Sequence, residues 1–137
     1  FDVNFFNQVQ LMQLVARKMI RSKSGSIVNI ASTAGLLSDA GTLAYGSSKA
    51  AMIQASRVAA TELGPFNIRV NAIAPAVVET EMAALMDDAA RQKLEDRSAL
   101  PGPTAPHDVA ELVAFLISPA SSKLTGQVIR LDRGMPF

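Results

Sequence analysis

With 137 residues, 49% of them hydrophobic and 18% charged, the chain carries enough apolar matter to bury the core of about one domain and too much for a disordered segment. Thirteen Lys and Arg against twelve Asp and Glu leave a net charge of +1 without a basic stripe, which argues against nucleic acid or an anionic membrane surface as a partner. No cysteine and a single histidine, His107, remove disulfides, thiolate metal sites, cysteine nucleophiles and multi-histidine metal centres together, so no metal site is expected. No apolar run reaches membrane-spanning length and no signal peptide is evident, so a reducing, cytoplasmic setting is expected.

The chain opens on FDVNFF without an initiator methionine, and Phe1 reads as a cut boundary rather than a natural start. Residues 2–23 are expected to be helical. Phe5, Val9, Met12, Ala16 and Met19 recur at helical spacing, while Val3, Phe6, Leu11, Leu14 and Val15 lie off that face. A helix apolar on two sides predicts burial on two sides, by its own sheet and by a partner subunit. SIVNIAS (26–32) follows as a β-branched strand, then a loop rich in Gly, Ser and Ala. A second helix is predicted from about Ala44 to Leu63, ended by Gly64-Pro65. NIRVNAIAP (67–75) reads as a buried parallel strand. One or two short helices are expected over 79–98, then the proline-punctuated PGPTAP. A helix over 107–118 begins with Asp108 in its first turn, and a strand over 126–132 completes the pattern. Helices alternating with strands in this way predict an α/β fold with parallel strands, the C-terminal half of a doubly wound, Rossmann-type sheet.

The stretch LAYGSSKAAM holds the chain's one tyrosine, Tyr45, with Lys49 four residues later. On a helix these two project together, roughly 5–6 Å apart at Cβ. A phenol ionises near pH 10 and is a poor base at neutrality, but a cation beside one favours its phenolate and opens general acid–base work. Alone, those five residues describe a packed aromatic beside a solvated lysine more often than a catalytic pair. Ser32 changes the balance, because it stands at the carboxyl end of the SIVNIAS strand, where ligands bind in parallel sheets. A serine there can hydrogen-bond a substrate oxygen, or simply cap a turn.

Together, Asn4 in the first helix, SIVNIASTAG, AYGSSKAAM, ELGPFNIRVNAIAPAVVETEM and DVAELVAFLISPASSKLTGQVIRLDRG resemble the short-chain dehydrogenases/reductases, in order and along essentially the whole chain. The 3-oxoacyl-carrier-protein reductases are the most similar branch. The resemblance implies NAD or NADP as cofactor and hydride exchange between a carbonyl compound and a secondary alcohol. Tyr45 would be the general acid or base. Lys49 would assist it and hold the nicotinamide ribose. Ser32 would orient the carbonyl, and Asn4 would hold a water relaying protons from Lys49. Pro75, the Val78 backbone and the Thr80 side chain would face the nicotinamide; Thr80 equally suits a helix N-cap. Enoyl reductases of this family carry a longer Tyr-to-Lys spacing as a rule, so the four-residue spacing favours a carbonyl substrate. Two positions depart from the family pattern, Ala76 and Arg133, each where glycine is usual.

No G-x-G-x-x-G occurs in the 137 residues, so the pyrophosphate-binding turn of such a domain lies outside them. The expected organisation is one partial domain over 1–137, inactive by itself. Two readings stay open: the C-terminal part of a working oxidoreductase, or a truncated form that keeps only self-association. An exposed sheet edge at SIVNIAS would favour the first. The resemblance also implies a homodimer or homotetramer. The substrate pocket would be mostly apolar, lined by Ala34, Leu36, Leu37, Leu43, Ala44 and the segment 77–100, and suited to a small hydrophobic carbonyl or alcohol.

Overall fold

A computed structural model describes residues 1–78, 85 and 87–136. Helix α1 (Asn7–Ser22) follows a π-helical turn over Asp2–Phe6. Met12 and Ala16, one turn apart, are its buried residues, and Lys23 ends it in the left-handed region (φ 51°). Strand β1 (Gly25–Ile30) comes next, then helix α2 (Leu43–Leu63), which gives way to a 3₁₀ turn at Gly64–Phe66. Strand β2 is Ile68–Pro75 and helix α3 is Asp88–Arg97, capped by the Asp87 carboxylate, which accepts from the Ala90 amide at 2.6 Å. Helix α4 (Pro106–Ile117) has Asp108 accepting from the Ala105 amide at 2.8 Å, and strand β3 is Val128–Leu131. The expected element order is therefore observed, with the first helix beginning as a π turn. The helix expected over 79–98 is present at 88–97; its earlier part falls on residues 79–84 and 86, outside the described residues.

The described strands form one parallel sheet in the order β1-β2-β3. Because β2 is central, both of its faces are covered and all its residues but Arg69 are buried, which accounts for its near-continuous apolar sequence. Ile27 of β1 packs on the cluster Met12, Met52, Ala60 and Val70 from α1, α2 and β2. Its neighbour Ser26, pointing to the opposite face, donates to the Leu116 carbonyl of α4 at 2.8 Å. Helices thus cover both faces, as a doubly wound sheet requires.

The polar residues of β2 are structural. Asn71 is fully buried; its amide donates to the Leu124 carbonyl at 3.0 Å and its oxygen accepts from the Gln127 amide at 3.0 Å. Arg69 donates to Ser121 Oγ at 3.0 Å and to the Ser118 carbonyl at 3.2 Å. Together they hold the connection between α4 and β3 against the sheet.

Candidate active site

The carboxyl end of β1 runs directly into a short 3₁₀ turn, Thr33–Gly35, which lies across the first turns of α2. Two glycines permit the approach. A Cβ on Gly46 would stand 2.7 Å from the Ala34 carbonyl oxygen, and one on Gly35 would stand 2.8 Å from the Ala50 nitrogen. Backbone therefore meets backbone here, and the loop carrying Ser32 is pinned beside the helix carrying Tyr45 and Lys49.

Ser32 Oγ accepts from the Ala34 amide at 3.1 Å and caps the turn. The bond uses a lone pair and leaves the hydroxyl proton to donate elsewhere, so capping and substrate binding are compatible. Tyr45 is 47% exposed at the start of α2, whereas Lys49 is only 8% exposed. The ammonium donates to the carbonyl of Ile30, the last residue of β1, at 3.3 Å, and lies over the Tyr45 ring, 5.6 Å from its centroid. Burial lowers the pKa of Lys49 from its ordinary value. An open phenol above a desolvated cation is an arrangement able to pass a proton. Asn4 sits half-buried on the π turn, which packs against α2, the same helix that bears the pair.

Pro75 ends β2 in the buried interior, and Val78 forms a parallel bridge with Thr104. Thr80 lies outside the described residues. Ser32, Tyr45, Lys49, Pro75 and Val78 thus belong to one strand-end region, built from β1, α2 and β2. Ala76 donates its amide to the Leu131 carbonyl at 3.1 Å and is not among the residues with positive φ, so its methyl group meets no backbone penalty. Arg133 is the reverse case, with φ of 55°. Beside the site, a hollow of about 440 Å³ is bordered by Ala34, Leu37, Thr42, Leu43 and Ser47. Of the residues expected around the pocket, Ala34, Leu37 and Leu43 are found there.

Sequence reasoning missed the Ile30 carbonyl, which gives Lys49 its anchor, and Thr104, which buttresses Val78. Strand-end position hinted at the first; nothing local pointed to the second. His107 is exposed and pairs with Glu111 one turn on at 3.3 Å, a surface contact. Among the described residues no group of His, Asp and Glu is placed to hold a metal, and no helix is long and apolar enough to cross a membrane.

Known proteins resemble the chain along most of its length. A family model described as enoyl-(acyl carrier protein) reductase matches residues 1–136. The 3-oxoacyl-[acyl-carrier-protein] reductase of Aquifex aeolicus is 38% identical over 133 residues, which cover 97% of this chain and 54% of that one. A short-chain type dehydrogenase/reductase from Mycobacterium ulcerans superimposes with a TM-score of 0.91 at 34% identity, covering 94% of this chain and 48% of its own. A 7α-hydroxysteroid dehydrogenase, solved with NADH and 7-oxo glycochenodeoxycholic acid, gives a TM-score of 0.93 at 34% identity, over 96% of this chain and 52% of the other. The chain spans about half the length of these relatives.

Proposed function

The chain belongs to the short-chain dehydrogenase/reductase family, and on that premise we propose that the protein carrying it is an NAD(P)-dependent oxidoreductase interconverting a carbonyl and a secondary alcohol. The observation that carries the proposal is Lys49: a buried ammonium at the carboxyl end of β1, beneath the exposed phenol of Tyr45. Burying a cation costs stability, and such sites persist where charge is used.

In reduction the Tyr45 hydroxyl gives its proton to the carbonyl oxygen, and in oxidation the phenolate takes it back. Lys49 supports the phenolate. Ser32, already accepting from Ala34, directs its hydroxyl proton at the same oxygen and fixes the carbonyl's orientation. Asn4, on the turn against α2, holds a water that resupplies protons from solvent. When bound, the nicotinamide supplies or removes the hydride. The donor set fits such a group: an ammonium has three N–H donors, the Ile30 carbonyl takes one, and the others suit ribose hydroxyls. Pro75, Val78 and Thr80 would flank the nicotinamide ring. Relatives solved with NADH or NAD support the cofactor class.

The pyrophosphate-binding turn would come from sequence outside the 137 residues, with 1–137 forming part of one domain. In support, β1 pairs only with β2 among the described strands, its residues are at most half-buried, and Ile30 is 39% exposed. Alone, the segment would be inactive. The exposed Leu11 and Leu14 of α1 and Val58 of α2 support a homodimer or homotetramer. Light scattering on the full-length protein at micromolar concentration is expected to give two or four copies; a monomer contradicts this.

The substrate class divides two readings. The family model is described by enoyl reduction, whereas the Aquifex aeolicus relative is named for 3-oxoacyl reduction. The four-residue step from Tyr45 to Lys49 favours the carbonyl, and a small hydrophobic 3-oxoacyl compound is the substrate class proposed. With NADH or NADPH, the full-length protein should reduce ethyl acetoacetate and leave ethyl crotonate untouched. Consumption of the crotonate alone would reverse the assignment.

A further inference from the structure

The turn after β3 carries an arginine where its backbone favours glycine. Arg133 has φ of 55°, in the left-handed region that glycine enters without penalty. Its side chain is only 18% exposed and forms a two-pronged fork with Glu95 of α3. One prong donates to Oε1 at 3.1 Å and the other stands 2.9 Å from Oε2. The first prong also donates to the Leu100 carbonyl at 3.1 Å. In return, the Arg133 carbonyl accepts from the amides of Ala99 and Leu100, both at 2.9 Å, and Glu95 accepts from the Gly102 amide at 3.3 Å. The guanidinium holds the Glu95 carboxyl below its usual range.

This clasp ends against the active-site segment. Thr104, 5% exposed, bridges to Val78, and Val77 lines one hollow of about 230 Å³ together with Glu95, Thr104 and Arg133. A purely local turn would be better served by glycine; arginine's gain is the tie to α3 and to residues 99–104. We propose that Arg133 and Glu95 are positioning residues: their fork sets residues 99–104 against Val77 and Val78 and so fixes the substrate-side wall of the site. What that wall touches rests on the oxidoreductase reading above; the clasp itself does not.

The test uses the full-length protein with Arg133→Gly and Glu95→Gln. The glycine variant gives the turn its preferred residue and so keeps the fold, while the glutamine variant keeps size and removes charge. With ethyl acetoacetate and saturating NADPH or NADH, whichever wild type accepts, each variant should raise KM about three- to fivefold, the range of a partly exposed ion pair, with kcat and cofactor affinity held. Amide hydrogen exchange across 99–104 should quicken in both. The double variant should add little to either single change, because both break the same fork. Unchanged KM or unchanged exchange in either variant overturns the proposal, and so does an equal fall in kcat and cofactor affinity, which reports general loosening. If wild type turns over no carbonyl, it is the oxidoreductase reading that fails. Exchange then decides the clasp by itself: quickened supports it, unchanged overturns it.

Discussion

Lys49 answers to two opposed demands. Its stem lies within the packed first half of α2, yet its ammonium must reach the carboxyl end of β1, and among the described residues the Ile30 carbonyl, at 3.3 Å, is its one acceptor. Its pKa is therefore lowered from the ordinary 10.5 by burial. Between the folded-state value and 10.5 the unfolded chain binds a proton that the folded chain gives up, so stability falls as pH drops through that window and levels off below it. In Lys49→Met, which keeps the apolar stem, that slope should vanish. Thermal stability near pH 7 should equal or exceed wild type while NAD(P)H turnover is lost. A marked drop in melting temperature would mean that the lysine is there to hold the fold. The closeness of Tyr45 to Lys49 and the strand-end place of Ser32 were legible because the i, i+4 rule and the strand-end rule act over a few residues, whereas their roles came only with the family resemblance. Arg133 stood out only as a departure from glycine; its pairing with Glu95 was not legible, since 38 residues separate them and only the folded chain brings them within 2.9 Å.

At the level of elements, β2 reports most clearly how the sequence encodes position. Its apolar run predicts a strand covered on both faces, and it lies between β1 and β3. Its Asn71 carries a tertiary duty, binding the Leu124 carbonyl and the Gln127 amide of the segment leading into β3. Replacing it with leucine, close in size, would leave the Gln127 amide without its acceptor, while the Leu124 carbonyl keeps its bond from Arg69 at 3.3 Å. The expected cost is about 1–3 kcal/mol, that of one unpaired group, read by chemical denaturation with an unchanged m-value. A loss below about 1 kcal/mol would indicate that water replaces the side chain. Helix ends were legible wherever capping chemistry is local, as at Gly64-Pro65 and Asp108. The π-helical start at Asp2–Phe6 was not, because the same side chains suit an α-helix and the choice depends on how Phe1, Phe5 and Phe6 cluster, with ring centroids 5.2–6.2 Å apart.

For the whole molecule, the site is a product of topology. A parallel sheet brings the carboxyl ends of β1 and β2 to one edge, and the crossover through α2 returns the phenol and ammonium to that edge beside Ser32. The candidate site is thus assembled from β1, α2 and β2 rather than from one segment. The most direct test of the account is the rate of NADPH- or NADH-dependent reduction of ethyl acetoacetate by the full-length protein, wild type against Tyr45→Phe. Losing the hydroxyl alone should lower kcat by about 10²- to 10⁴-fold, the range for a general acid, with cofactor affinity preserved. Equal rates for the two proteins would contradict the assignment of Tyr45 as the proton donor, and with it the oxidoreductase reading of the site.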